Sequence, residues 1–225
     1  MHPMLLANNF IPPYYLMRIP ENHIAIENMY LNRNGNKYII GTEESLWMTY
    51  NFDSEEEALE LYSHYYWAQG HCVCTGLGLG IRESWLLRNP KVTKITVVEK
   101  NASIIEFHKR YNPELLAKIE VIHDNAKNVK MSCDTLLPDH WSKEGLDVML
   151  NELDIISSNI SCKTMWFWPL EEYLLELSAC RSYMKKYTEL RTGRYPKLPN
   201  CTTHELYVIL STWYSTYATR EIEGL

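Results

Sequence analysis

The chain has 225 residues, enough for one sizeable core with a small appended unit, and its 46% apolar and 22% charged residues are ordinary for a globular protein. A formal charge of -6 supplies no basic field of the kind that non-specific nucleic-acid binding needs, while a small cationic substrate stays admissible. No apolar stretch approaches the roughly 20 residues that cross a bilayer, and Met1 to Met17 carries no cationic leader, so the expectation is a cytoplasmic protein without a membrane partner.

Taken in chain order, Ile24 through Leu31 and Lys37 to Ile40 read as strands flanking Asn34-Gly35, a hairpin turn signal. Leu46 to Tyr50 extends them into a small antiparallel sheet. Ser54 with Glu57 forms a capping box, reinforced by Glu55 and Glu56 in the first turn, and opens a helix. Its apolar face is Ala58, Leu61, Tyr62, Tyr65 and Tyr66. His64 falls off that stripe and is expected to be exposed or to face a pocket.

From His71 the pattern alternates between strand and helix. Strands are predicted at 71–75, 94–99, 119–123, 134–138 and 163–168. Helices are predicted at about 80–88, at 101–109 with a continuation after Pro113, and at 143–158. Asn89-Pro90 and Asn112-Pro113 terminate or break them. This rhythm predicts an α/β, Rossmann-like parallel sheet with helices on both faces. Trp166-Phe167-Trp168 at the last strand reads more readily as buried packing than as a contact to a cationic ligand. Residues 170–189 form a long amphipathic segment, and Thr202 with Glu205 caps another whose apolar stripe runs from Leu206 to Tyr217. That stripe is either a homo-oligomer surface or a face docked on the sheet. The domain reading is an N-terminal hairpin region at 1–52, a cofactor-binding domain at 53–169 and a helical extension at 170–225. The six cysteines have no CxxC spacing and are read as reduced, mostly buried thiols. Cys72 and Cys74 alternate with Val73 as core residues, and no metal site is expected.

Thr75-Gly76-Leu77-Gly78-Leu79-Gly80 stands directly after a predicted strand and opens a helix, the context in which a glycine loop binds nucleotides. Glycine lets the backbone turn sharply and approach a ligand, and the helix start beyond it offers unpaired N–H groups. The spacing is GxGxG, one residue shorter than the dinucleotide fingerprint, and no P-loop lysine follows. The next strand ends in Glu99, nineteen positions after Gly80, where a carboxylate can accept hydrogen bonds from ribose hydroxyls.

On these motifs residues 71 to 141 resemble the class I S-adenosylmethionine-dependent methyltransferase fold, and within it the spermidine synthase-like branch. The glycine loop followed by Glu83-Ser84-Trp85-Leu86-Leu87-Arg88-Asn89-Pro90 is similar to that branch's loop and helix, and Lys94 to Glu99 to its second strand. The resemblance implies S-adenosylmethionine or its decarboxylated form as cofactor, with Gly76, Gly78 and Gly80 around the methionine part and ribose and Glu99 on the ribose hydroxyls. It places His123-Asp124-Asn125-Ala126 at the adenine, with Asn125 or the neighbouring Asp124 as acceptor. It makes Asp139 the base or substrate anchor, with His140 as neighbour or alternative; Asp139 equally reads as a cap on the following helix. Cys74 stands where the family carries an acid, and Asp139 continues into His140-Trp141. The implied activity is a sulfonium-dependent transferase, methyl transfer to a small molecule first. Aminopropyl transfer and a catalytically degenerate scaffold are the alternatives. The acceptor itself is not legible.

Overall fold

The computed structural model describes residues 16, 19–54, 61–62, 64–141 and 146–168. The predicted capping box at Ser54, which needs Glu57, and the segments from 170 onward lie outside the described residues. The first of two sheets is four-stranded and antiparallel, with β1 (Asn22–Ile26), β2 (Met29–Asn34), β3 (Lys37–Gly41) and β4 (Leu46–Asn51) paired in sequence order. The sequence suggests one strand through Ile24–Leu31; the structure breaks it into β1 and β2. A two-residue turn at Glu27-Asn28 does so, with Glu27 at a positive φ of 51°. The turn carries no glycine, so the usual signal for a left-handed residue is missing there. The expected turn forms at Gly35, also at positive φ.

The second sheet is parallel. It runs β7-β6-β5-β8-β9, with β5 (Gly70–Thr75) central, β6 (Val92–Glu99) and β7 (Glu120–His123) on one side, and β8 (Met131–Pro138) and β9 (Ile160–Met165) on the other. The order reverses at β5, so right-handed crossovers put α1 (Ile81–Leu86) and α2 (Ala102–Tyr111) on one face and α4 (Leu146–Asn159) on the opposite face. The short α3 (Pro113–Leu116) follows α2 with Pro113 in its first turn, as the Asn112-Pro113 break predicts. This is the α/β Rossmann-like architecture that the strand–helix rhythm announces. Among the described residues no helix is long and apolar enough to cross a membrane.

The core lies between the sheet and its helices. Cys72, Val73 and Cys74 are fully buried on both faces of β5, as a central parallel strand requires. Met149, Leu153 and Ile156 form the buried stripe of α4. The last strand ends at Met165, three residues before the predicted limit, because it starts directly from the end of α4. Trp166 and Phe167 are buried beyond it, and Trp166 stacks on Trp67 at 5.4 Å between ring centroids. These rings are packing, as expected.

Gly70 opens β5 at a φ of 63°, and a Cβ there would lie 2.2 Å from Asp134 Oδ2. That carboxylate accepts from His71 N and pairs with Lys163. A Gly70→Ala substitution combines a strained backbone with a clash, and is expected to destabilise the fold by about 1–3 kcal/mol, read as a lower midpoint in urea unfolding.

Candidate active site

The carboxyl ends of β5, β6 and β8 converge on one cavity of about 390 Å³, within the range of small-molecule sites. The order reversal at β5 is the place where open α/β sheets bind ligands. Its floor is the glycine loop, where Gly76, Gly78 and Gly80 all take left-handed backbone conformations. The bend is needed because the chain leaves β5 and turns at once into α1, for which Gly80 is the N-cap.

All eight residues singled out from sequence, the three glycines with Glu99, Asp124, Asn125, Asp139 and His140, line this cavity. Their detailed surroundings add to the expectation. A Cβ on Gly76 would lie 2.6 Å from the Asp139 carbonyl oxygen, and one on Gly78 would lie 2.9 Å from Met48 Sδ. Those two glycines therefore make room for the Asp139 backbone and for the small sheet. Glu99 is buried, its Oε2 accepting from Leu77 N at 2.7 Å and its Oε1 from Asn101 N at 2.7 Å. Each oxygen keeps a lone pair for a further donor. Asn125 Oδ1 accepts from Lys127 N, and Asp124 Oδ1 from Asn125 N and Asn128 Nδ2, so both shape the turn after β7.

Asp139 follows β8 with 27% of its side chain exposed, and its Oδ2 lies 3.4 Å from Arg82 Nη1. Burial pushes its carboxyl above the usual range, and Arg82 pulls it partly back. A raised proton affinity suits a base. His140 is held at both ring nitrogens: Nδ1 meets Thr75 Oγ1 at 2.5 Å and Nε2 lies 3.3 Å from Glu152 Oε2. Glu152 also accepts from Trp141 Nε1 and Lys127 Nζ. Despite burial, which works against ionisation, these donors lower its carboxyl to about 2. The carboxylate fixes a donor at Nε2, so Nδ1 accepts from the threonine hydroxyl, and burial lowers the imidazole's pKa against the pull of Glu152. His140 is thus pinned as a neutral spacer, whereas Asp139 has the freer acceptor.

Three groups escape a reading by sequence. Arg82 and Glu83, 5% and 1% exposed, stand side by side in the first turn of α1. Arg82 donates to Gly76 O, Leu137 O and Glu83 Oε1 as well as facing Asp139. Neighbours on a helix do not normally face each other, so nothing in the pattern announces the pair. His108 on α2 is fully buried, its Nε2 2.9 Å from Gly78 O, with Asn112 Nδ2 at its other nitrogen. The third is Met48, over the loop. The expectation for His64 is corrected: it is completely buried, has no hydrogen-bond partner at either nitrogen among the described residues, and does not line the cavity. Leu61, His64 and Ala68, at helical spacing, are all buried while Tyr65 and Tyr66 are only partly so; the buried face is thus turned towards His64, and burial with nearby Arg82 holds its pKa well below the usual value.

Burial lowers His108 from 6.5 to about 4, against the hydrogen bond to Gly78 O. Between these values the unfolded chain binds the proton and the folded chain does not, so this contribution is complete above pH 6.5 and lost as pH falls towards 4. Urea unfolding across this window should show stability falling by up to about 3 kcal/mol from this group. In His108→Gln the dependence on pH should flatten by close to one proton.

Several solved structures are similar to this chain in fold. Spermidine synthase from Thermotoga maritima shares 12% identity, over 64% of this chain and 54% of that one, at a TM-score of 0.45. A spermidine synthase in complex with the transition-state analogue AdoDATO shares 12%, over 64% and 54%, at 0.44. An S-adenosylmethionine-dependent methyltransferase from Clostridium acetobutylicum shares 12%, over 44% and 42%, at 0.34. This chain spans about half the length of the solved proteins it is similar to. No protein-family model matches the chain, and no curated protein matches it in sequence.

Proposed function

We propose that this chain is a sulfonium-dependent transferase that binds S-adenosylmethionine and delivers its methyl group to a small acceptor. The observation that supports this reading is the bent glycine loop and the Glu99 carboxylate in contact, opening together into one cavity. The donor set fits a cationic nucleoside. Among the described lining residues, Glu83, Glu99, Asp124, Asp139 and Glu152 supply five carboxylates against the three cations Arg82, Lys100 and Lys127. Trp47, Met48 and Ile104 give an apolar wall for a base or a thioether. Glu99 would hold the ribose hydroxyls, the turn at Asp124-Asn125 the adenine edge, and the loop the methionine part. When bound, the group supplies an electrophilic carbon on a sulfonium.

The protein's part is to align the acceptor and remove its proton. Asp139 lies at the end of β8 against the glycine loop, and its Oδ atoms can take a proton from an acceptor amine or hydroxyl. Arg82 restrains that carboxyl without neutralising it. The same carboxylate surplus favours a second reading, aminopropyl transfer from the decarboxylated cofactor, whose net positive charge is larger.

Calorimetry with S-adenosylmethionine and its decarboxylated form is the direct test. At least one should bind, and Glu99→Gln should weaken it about 10- to 100-fold by replacing a charged acceptor. If neither compound binds, the transferase reading fails and a scaffold of this fold takes its place. With a competent acceptor amine, mass spectrometry distinguishes a methylated from an aminopropylated product. Asp139→Asn should then lower turnover about 10²- to 10⁴-fold with binding retained; an unchanged rate would remove Asp139 from the chemistry.

A further inference from the structure

Four cysteines fall on one face of the parallel sheet, away from the cavity. Cys72 and Cys74 alternate on β5, Cys72 pairs with Thr135 of β8, and Cys133 lies two residues before Thr135 on the same face. Cys133 is in turn the direct register partner of Cys162 on β9. Cys72 and Cys74 are completely buried, whereas Cys133 and Cys162 both keep partial exposure. Neighbouring strands lie about 4.7–4.9 Å apart, inside the roughly 4.4–6.8 Å range of Cα separations that a disulfide bridges. The two side chains also point the same way, because parallel register partners share a face.

We propose that Cys133 and Cys162 form a dithiol–disulfide site across β8 and β9, with a small-molecule disulfide as oxidant. The neighbouring Cys162, together with burial, holds the Cys133 thiol above its ordinary value, and the first attack falls to Cys162. The Cys162 thiolate attacks one sulfur of the oxidant and expels the first small thiolate, forming a mixed disulfide. Cys133 then gives up its proton and attacks Cys162 Sγ, expelling the second. Two protein thiols are oxidised and one disulfide is reduced to two thiols. The closed loop contains Asp139, His140 and Glu152, so oxidation ties the end of β8, α4 and β9 into one covalent ring.

The full chain incubated with oxidised glutathione, then digested under acidic non-reducing conditions, tests this without a ligand or an activity. A Cys133–Cys162 peptide should appear, lighter than the reduced pair by two hydrogens. The thermal midpoint should rise by several degrees and return when dithiothreitol is added. Cys133→Ser should stop at a glutathione adduct on Cys162. A folded protein whose Cys133 and Cys162 stay unlinked, or carry separate adducts only, overturns the proposal, as does a cross-link made to other cysteines.

Discussion

Arg82 gathers four parts of the molecule at one buried guanidinium. Its N–H groups reach the carbonyl of Gly76 in the glycine loop, the carbonyl of Leu137 at the end of β8, the carboxylate of its neighbour Glu83, and, at a longer distance, Asp139. Its pKa is raised because, although burial opposes the charge, Glu83, Cys74 and Asp139 favour it, so the group stays cationic. A buried pair of this kind adds little net stability over an apolar replacement, but removing one partner strands a charge at a cost of about 3–5 kcal/mol. Its role in this fold is therefore geometric. It holds the end of the central strand and the end of β8 at one fixed separation, and the cavity lies between them.

Around this centre the anchoring is shared between side chains and main chain. Glu99 links the glycine loop to β6 through Leu77 N, and His108 links it to α2 through Gly78 O. Thr75, His140 and Glu152 connect β5, the segment after β8 and α4 in a single hydrogen-bonded line. The small sheet is fastened separately: the Ser103 hydroxyl at the start of α2 meets Glu27 and Asn28 in the turn between β1 and β2. Met48 then sits over Gly78 from β4. The site is thus built from both sheets, although its chemistry-bearing groups come from the parallel one.

The sequence carries the parallel part of this plan well. The glycine spacing, the acid at the end of the second strand and the alternation of Cys72, Val73 and Cys74 each reflect a local physical need, and each stands where its pattern puts it. What stays hidden are features set by tertiary contact. The Glu27-Asn28 turn has no glycine to mark it, because a glutamate takes the left-handed conformation there. Arg82 and His108 look like ordinary helical residues, since backbone carbonyls, which leave no mark in a sequence pattern, are among their buried partners. His64 misled because the apolar side chains mark a stripe through Tyr65 and Tyr66, whereas the face that is buried runs through Leu61, His64 and Ala68.

The glycine loop and the segment after β8 touch chiefly through main chain, with the Gly76 α-carbon facing the Asp139 carbonyl and the His140 Cα–Cβ bond. This part of the cavity's base is consequently formed largely by peptide groups, which every residue type supplies alike. Mutational drift can therefore run through the surrounding walls, altering what the cavity admits, while the shape beneath it persists. Only the few positions that would intrude on this contact, above all Gly76, are closed to change.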